Sequence, residues 1–273
     1  MNFKFSTNHE PTMISKNIFF VLNIILINLI IFNCSKNGEK VVTSDNQDIE
    51  KDGYELVWHD EFNATELDLS KWRYRQLGPR RDGVTTADAV QFDGTGSLYL
   101  TTSKIDGEYH AGMIGTEETF QTTFGYFECR AKLQKEIGHW SAFWIQSPTV
   151  SQMGDTKITG TEIDIYEYLR RYPNRIYHNL HWDGYGDDHK TAGTTREIPG
   201  LENGYHLFAL EWTESEYIFY VDDQETWRSS EAISHRDEYI ILSTEVGTWA
   251  GDIALATLPD TLFVDWVRVY KPL

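Results

Sequence analysis

The chain has 273 residues, 40% of them hydrophobic and 14% aromatic, which is ample apolar material for one sizeable β domain. Lys and Arg number 24 against 42 Asp and Glu, a net charge of −18. Such a field repels nucleic acid and other polyanions, whose binding requires cations to neutralise phosphates, so a neutral partner is expected.

In chain order, the first feature is an export segment, residues 1–34. From Met13 a single Lys16 precedes an apolar run from Ile18 to Phe32 broken only by Asn, which is the layout of a secretory signal. Cys34, directly after it, resembles the lipidated cysteine of a bacterial lipobox, although "IFN" stands where small residues are usual. That resemblance implies lipidation at Cys34, attachment to the outer membrane, and a place at the cell surface or in the periplasm. An uncleaved membrane anchor and an ordinary soluble signal peptide are the alternatives. The other cysteine, Cys129, lies in the alternating "YFECRAKL" and reads as a small buried hydrophobe, so no internal disulfide is expected. Residues 35–53 are polar and lack any aromatic, a linker composition, and the folded domain is expected over 54–273.

Strand patterns then recur to the end: "YELVWHDEF", "SLYLTTS", "YFECRAKLQ", "SAFWIQS", "EIDIYEYL", "IYHNLHW", "HLFALEWT", "EYIFYVDD", "YIILSTEVG" and "TLFVDWVRVY". Each is short, rich in β-branched and aromatic residues, and bounded by Gly, Asp or Asn. Helical periodicity is confined to "ADAV" and "SEAISHRDE", a turn or two at most. This predicts an all-β sandwich or jelly roll of two antiparallel sheets with an open concave cleft, in a monomer.

"TEIDIYEYL", residues 161–169, carries the chemistry. On a regular strand Glu162 and Asp164 share a face and Glu167 points the other way, because side chains alternate with a period of two. A β-bulge between them would absorb one residue and return Glu167 to the shared face. Two glutamates flanking an aspartate could then serve as the carboxyl pair of a retaining glycosidase, which sits roughly 5–5.5 Å apart. Three such acids cannot all ionise comfortably, so at least one should keep its proton near neutrality.

"EIDIYE" resembles the E-x-D-x-x-E signature of glycoside hydrolase family 16, the clan of laminarinases, agarases, porphyranases and κ-carrageenases. "VWHDEFNATELDLSKW" (57–72), "FGYFECRAKLQKEIGHWSAFWIQ" (124–146) and "FVDWVRVY" (263–270) resemble its opening segment, its strand pair before the active site and its closing strand. The resemblance implies a jelly roll with Glu162 as nucleophile, Asp164 as assisting acid and Glu167 as acid/base. The extra residue before Glu167 is similar to the bulged members and unlike the lichenases. It further implies substrate contacts at Trp140, Trp144, His181 and Trp249. A structural calcium is implied at Glu61 and Asp265, with no cofactor needed for catalysis. "WSAFWIQSP" departs from the family's "WPAFWLLP", which leaves Gln146 and Ser147 without a role.

The implied activity is endo-cleavage of a polysaccharide, with β-1,3-glucan of the laminarin type first and a marine β-galactan as the alternative. Arginines 73, 75, 80 and 81 and arginines 170, 171 and 175 form basic stretches that a sulfated galactan would favour, or are ordinary ion-paired residues. A non-catalytic glycan-binding lipoprotein is the reading from another class, and it has no use for the Glu162 and Glu167 pair. Trp58, Trp72, Trp212 and Trp266 are assigned to packing. His178 and His181 fall on opposite faces of a strand and make a poor zinc pair.

Overall fold

A computed structural model describes residues 49–273; the apolar run, Cys34 and most of the polar linker lie outside the described residues. The strands in order are β1 (Tyr54–Asp60), β2 (Arg73–Tyr74), β3 (Gly78–Arg80), β4 (Gly83–Thr85), β5 (Val90–Phe92) and β6 (Leu98–Ile105). Next come β7 (Glu108–Ala111), β8 (Met113–Gly115), β9 (Gly125–Lys132), β10 (His139–Gln146), β11 (Glu162–Leu169) and β12 (Arg175–Trp182). The last six are β13 (Lys190–Glu197), β14 (His206–Trp212), β15 (Tyr217–Val221), β16 (Gln224–Ser229), β17 (Tyr239–Val246) and β18 (Asp260–Pro272).

They form two sheets. The outer sheet runs β16-β15-β14-β9-β18-β6-β7-β4-β3, with β1 on β18 and β5 on β6; the inner runs β13-β12-β11-β10-β17-β8-β2. One ladder departs from the antiparallel expectation: Val84 and Thr85 of β4 pair in parallel with His110 and Ala111 of β7. β7 is the return arm of a hairpin with β6. "ADA" forms a single 3₁₀ turn and "SEAISHRDE" forms no helix, while an unexpected α turn, α1 (Thr156–Thr159), is capped by Asp155.

The core lies between the sheets. Phe143, Ile145, Ile163, Ile165, Ile240 and Leu242 of the inner sheet meet Phe127, Cys129, Phe208, Leu210, Val267 and Val269 of the outer. Trp72 and Trp212 are fully buried there, and Trp58 packs against the cluster with its ring 5.3 Å from that of Trp72. Trp266 does not join: it lies on the convex face with the Arg268 guanidinium 3.9 Å from its ring centroid. β10 and β17 are buried along both faces. Strands covered on both sides lose polar alternation, and "YIILSTEV" shows that pattern.

The expected bulge is present in β11. Against β10, Phe143 pairs with Tyr166 and Trp144 with Asp164, leaving Ile165 over. Against β12, the register slips between Asp164 opposite Asn179 and Glu167 opposite Tyr177, so Ile165 and Tyr166 together face His178. Both bulged side chains enter the core, and the Tyr166 ring lies 4.1 Å from that of Phe208 on the outer sheet. His178 pins the distortion from the core side. Its Nδ1 donates to the Ile165 carbonyl (2.7 Å), which makes Nε2 the acceptor-competent nitrogen facing the Thr226 hydroxyl (2.9 Å).

Burial pushes the His178 imidazole down from 6.5 to about 4. The unfolded chain therefore binds this proton first, and the fold loses stability as pH falls from the unfolded value towards about 4. His178→Phe should remove that contribution, on the order of 3 kcal/mol across the window. It should also cost roughly 1–3 kcal/mol at alkaline pH through the orphaned carbonyl. Urea unfolding of both proteins across that pH range is the check; an unaltered acid limb in the variant would show that His178 does not titrate there.

Candidate active site

The bulge sorts β11 into two sets. Ile163, Ile165, Tyr166 and Tyr168 face the core, while Glu162, Asp164 and Glu167 line an open trough of about 700 Å³ on the inner sheet. Cross-strand register then builds the trough floor in rows. One row is His181, Glu162, Gln146 and Tyr239; the next is Asn179, Asp164, Trp144 and Ile241; the third is Tyr177, Glu167, Ala142 and Ser243.

Asp164 is the most buried of the three acids, 5% exposed. Burial and the neighbouring Glu162 and Glu245 raise its carboxyl well above the usual carboxylate range. Burial likewise raises Glu167, reinforced by Asp164, although a bond from Asn179 Nδ2 to Glu167 Oε2 (2.7 Å) and the nearby His181 oppose it. Asn179 has little freedom to leave: a side chain on Gly193 of β13 would place its Cβ 2.3 Å from Asn179 Oδ1. His181 sits with Nε2 3.3 Å from Asp164 Oδ2, and its other nitrogen meets His189 at 3.0 Å. The cluster therefore sets Glu162 beside two acids, Asp164 and Glu167, whose affinity for protons is raised. A raised proton affinity is what a general acid requires.

The aromatic residues are arranged less openly than a free-standing platform. Trp140 and Trp144 line the trough but are 4% and 6% exposed, forming its floor. Trp144 Nε1 donates to Ser243 Oγ (3.1 Å), and Trp140 lies under Arg81, whose guanidinium is 5.1 Å from the ring centroid. Trp249 is 43% exposed and extends this wall, edge-on to both Trp140 (5.4 Å) and Tyr177 (5.6 Å).

The arginine stretches are largely ion-paired. Arg73 meets Glu118 and Arg75 meets Glu117, while Arg80 and Arg81 converge on Glu245 at 2.8 and 2.7 Å. Arg170 pairs with Glu202 and Arg175 with Glu197, and Arg171 donates to the Trp249 carbonyl.

The two acids that the resemblance assigns to calcium do not fit a shared cation. Glu61 is gripped at both oxygens by Arg268 (2.9 and 2.8 Å) and also meets His59, whereas Asp265 is bound by Arg130. They border different hollows, and each carboxylate is already matched by a guanidinium. Calcium takes six to eight oxygens, most of them uncommitted to other cations. Among the described residues, the acid and histidine group whose ligand atoms lie within 4.8 Å of one another is Glu162, Asp164 and His181.

Several residues at the site were not anticipated. Gln146 lies on Glu162, with Tyr185 and Arg75 around it, and Glu245 closes the trough beside Arg80 and Arg81. Gln146 could have been found by counting in twos from Trp140 and Trp144. Tyr185 could not, because it reaches Glu162 from the loop after β12, where no periodicity applies.

Residues 78–268 match the family model described as Glycosyl hydrolases family 16. Glucan endo-1,3-beta-glucosidase A1 of Niallia circulans is 28% identical over 261 residues, covering 80% of this chain and 38% of its own length. Keratan-sulfate endo-1,4-beta-galactosidase of Sphingobacterium multivorum is 27% identical over 252 residues, covering 86% of this chain and 57% of its own length. The chain thus spans less than two thirds of either relative. The laminarinase catalytic domain of Thermotoga maritima MSB8 superposes with a TM-score of 0.70 at 26% identity, covering 81% of this chain and all of that one.

The carboxyl cluster sets a measurable pH dependence. Glu167 binds its proton more tightly folded than unfolded, so its contribution to stability is complete at low pH and is lost as pH rises through its raised folded value. Glu167→Gln keeps the shape and cannot ionise. Its melting temperature relative to the parent should therefore climb as pH rises above the ordinary carboxylate range. A difference that stays flat in scanning calorimetry would mean the carboxyl ionises as freely in the fold as in the unfolded chain.

Proposed function

The chain belongs to glycosyl hydrolases family 16, and from that premise we propose that it is a retaining, endo-acting hydrolase of a polysaccharide, with β-1,3-glucan as its substrate. The observation that carries the reading is the bulge at Ile165, which sets Glu167 beside Asp164 and Glu162 in an open trough. A trough open along the sheet accepts a chain interior as well as a chain end.

In this reading Glu162 attacks the anomeric carbon as the bond to the leaving oxygen breaks, and Glu167 gives that oxygen its proton. The resulting covalent glycosyl-enzyme is opened by water, from which Glu167, now ionised, takes a proton. Asp164, whose proton affinity is raised by burial and by Glu162, limits three-fold repulsion by favouring its neutral form. The pairing of Arg80 and Arg81 with Glu245 supports a neutral glucan over a sulfated galactan, because those cations already have a counter-charge. Export by the apolar run and anchoring through Cys34 form part of the proposal on sequence grounds, outside the described residues.

The test is a reducing-end assay on laminarin, mixed-linkage glucan, agarose, porphyran and κ-carrageenan, with Glu162→Ala as control. Laminarin should be cleaved, with activity in Glu162→Ala lower by about a thousandfold or more, and Glu167→Gln should lose about 10²–10⁴-fold. Proton NMR during the first turnovers should show the β-anomer; the α-anomer would replace retention by inversion. Cleavage of a galactan alone would overturn the substrate and keep the mechanism.

A further inference from the structure

Gln146 was a sequence feature without a role, and the structure joins it to Arg75. Gln146 is the last residue of β10, 8% exposed, and lies in one row with Glu162 and Tyr239. Its Nε2 donates to Glu162 Oε2 at 2.5 Å and to the Tyr185 hydroxyl oxygen at 2.6 Å, while Tyr185 itself donates to the same Glu162 oxygen. Its Oε1 accepts from Arg75 Nη2 at 2.8 Å and from the Tyr239 hydroxyl.

The orientation of this amide is dictated by chemistry. A guanidinium can only donate, so the end of Gln146 that faces Arg75 must be the carbonyl, and the NH₂ is left for Glu162. Arg75 is fixed in turn. It is 8% exposed, paired with Glu117, bonded to Tyr239 Oη (3.0 Å) and stacked 5.0 Å from that ring. Gly115 gives it passage, since a Cβ there would lie 3.3 Å from Arg75 Cδ and 3.2 Å from the Ile240 carbonyl oxygen.

We propose that Gln146, oriented by Arg75, is a positioning residue that holds Oε2 of Glu162 and leaves Oε1 as the attacking oxygen. This rests on the hydrolase reading above. The bond formed runs from Glu162 Oε1 to the anomeric carbon, and the bond broken runs from that carbon to the leaving oxygen, which keeps the electron pair and receives the Glu167 proton. Two donors on the idle oxygen fix the carboxylate plane before attack, and a displacement of about 1 Å at a reacting atom can lower a rate on the order of a hundredfold.

Gln146→Leu removes the hold, and Gln146→Glu keeps shape and the Arg75 partner but replaces a donor by a carboxylate. Both should lower kcat by roughly 10- to 100-fold while KM moves by less than about threefold. Gln146→Glu should also recover as pH falls, because its protonated carboxyl donates again; a packing role would give no such recovery. Full kcat in both variants overturns the proposal. A second measurement needs no substrate: the Gln146 side-chain amide signal in a ¹⁵N-edited NMR spectrum, assigned by its loss in Gln146→Leu. It should shift in both Glu162→Gln and Arg75→Met, and constancy in either overturns the hold. Silence of the parent enzyme on every glycan would instead overturn the hydrolase reading, with the amide signal still deciding the contact.

Discussion

One extra residue in one strand organises the whole site. Without Ile165 as a surplus, the period of two would drive Glu167 into the core beside Phe208 and Phe127, where an acid has no partner. With it, two consecutive apolar residues, Ile165 and Tyr166, enter the core together. The ladder must break to allow this, and the freed Ile165 carbonyl is satisfied by His178. A buried carbonyl left unpaired would favour slippage back to a regular register, so the imidazole and the bulge are mutually dependent.

The cluster created by the bulge opposes folding. Burial raises the affinity of Asp164 and Glu167 for protons, and the neighbouring acids of the trough floor add to it. The fold contains the conflict in two ways. The raised proton affinity of Asp164 and Glu167 favours their neutral forms, and donors from neighbouring strands and loops hold one oxygen of each glutamate: Asn179 on Glu167, and Gln146 and Tyr185 on Glu162. Activity and electrostatic strain thus share the same groups, as is usual where proton affinities must be set apart.

The global charge of −18 says little about this site. Within the trough, cations and anions are matched one against another, as with Arg80 and Arg81 on Glu245. The same matching on the convex side commits Glu61 to Arg268 and Asp265 to Arg130.

Ten of the eighteen described strands, their two faces and the position of the acids were legible from residue types and alternation, because these depend on neighbours within a few residues. β13, β16 and the short strands β2–β5, β7 and β8 were not, being polar or too brief to show a period. Even the bulge was legible, since Glu162, Asp164 and Glu167 cannot share a face without it. The roles of Gln146, Arg75, Tyr185 and Asn179 were not, nor the exclusion of Trp266 from the core. Each depends on which strands lie side by side and where a loop returns: Gln146 meets Arg75 across 71 positions and Tyr239 across 93. Local periodicity carries no information about such distant pairings. The sequence by itself determined which acids of β11 would face the trough, and the tertiary structure decided which donor each acid would meet, because only packing of the two sheets sets the register between remote strands.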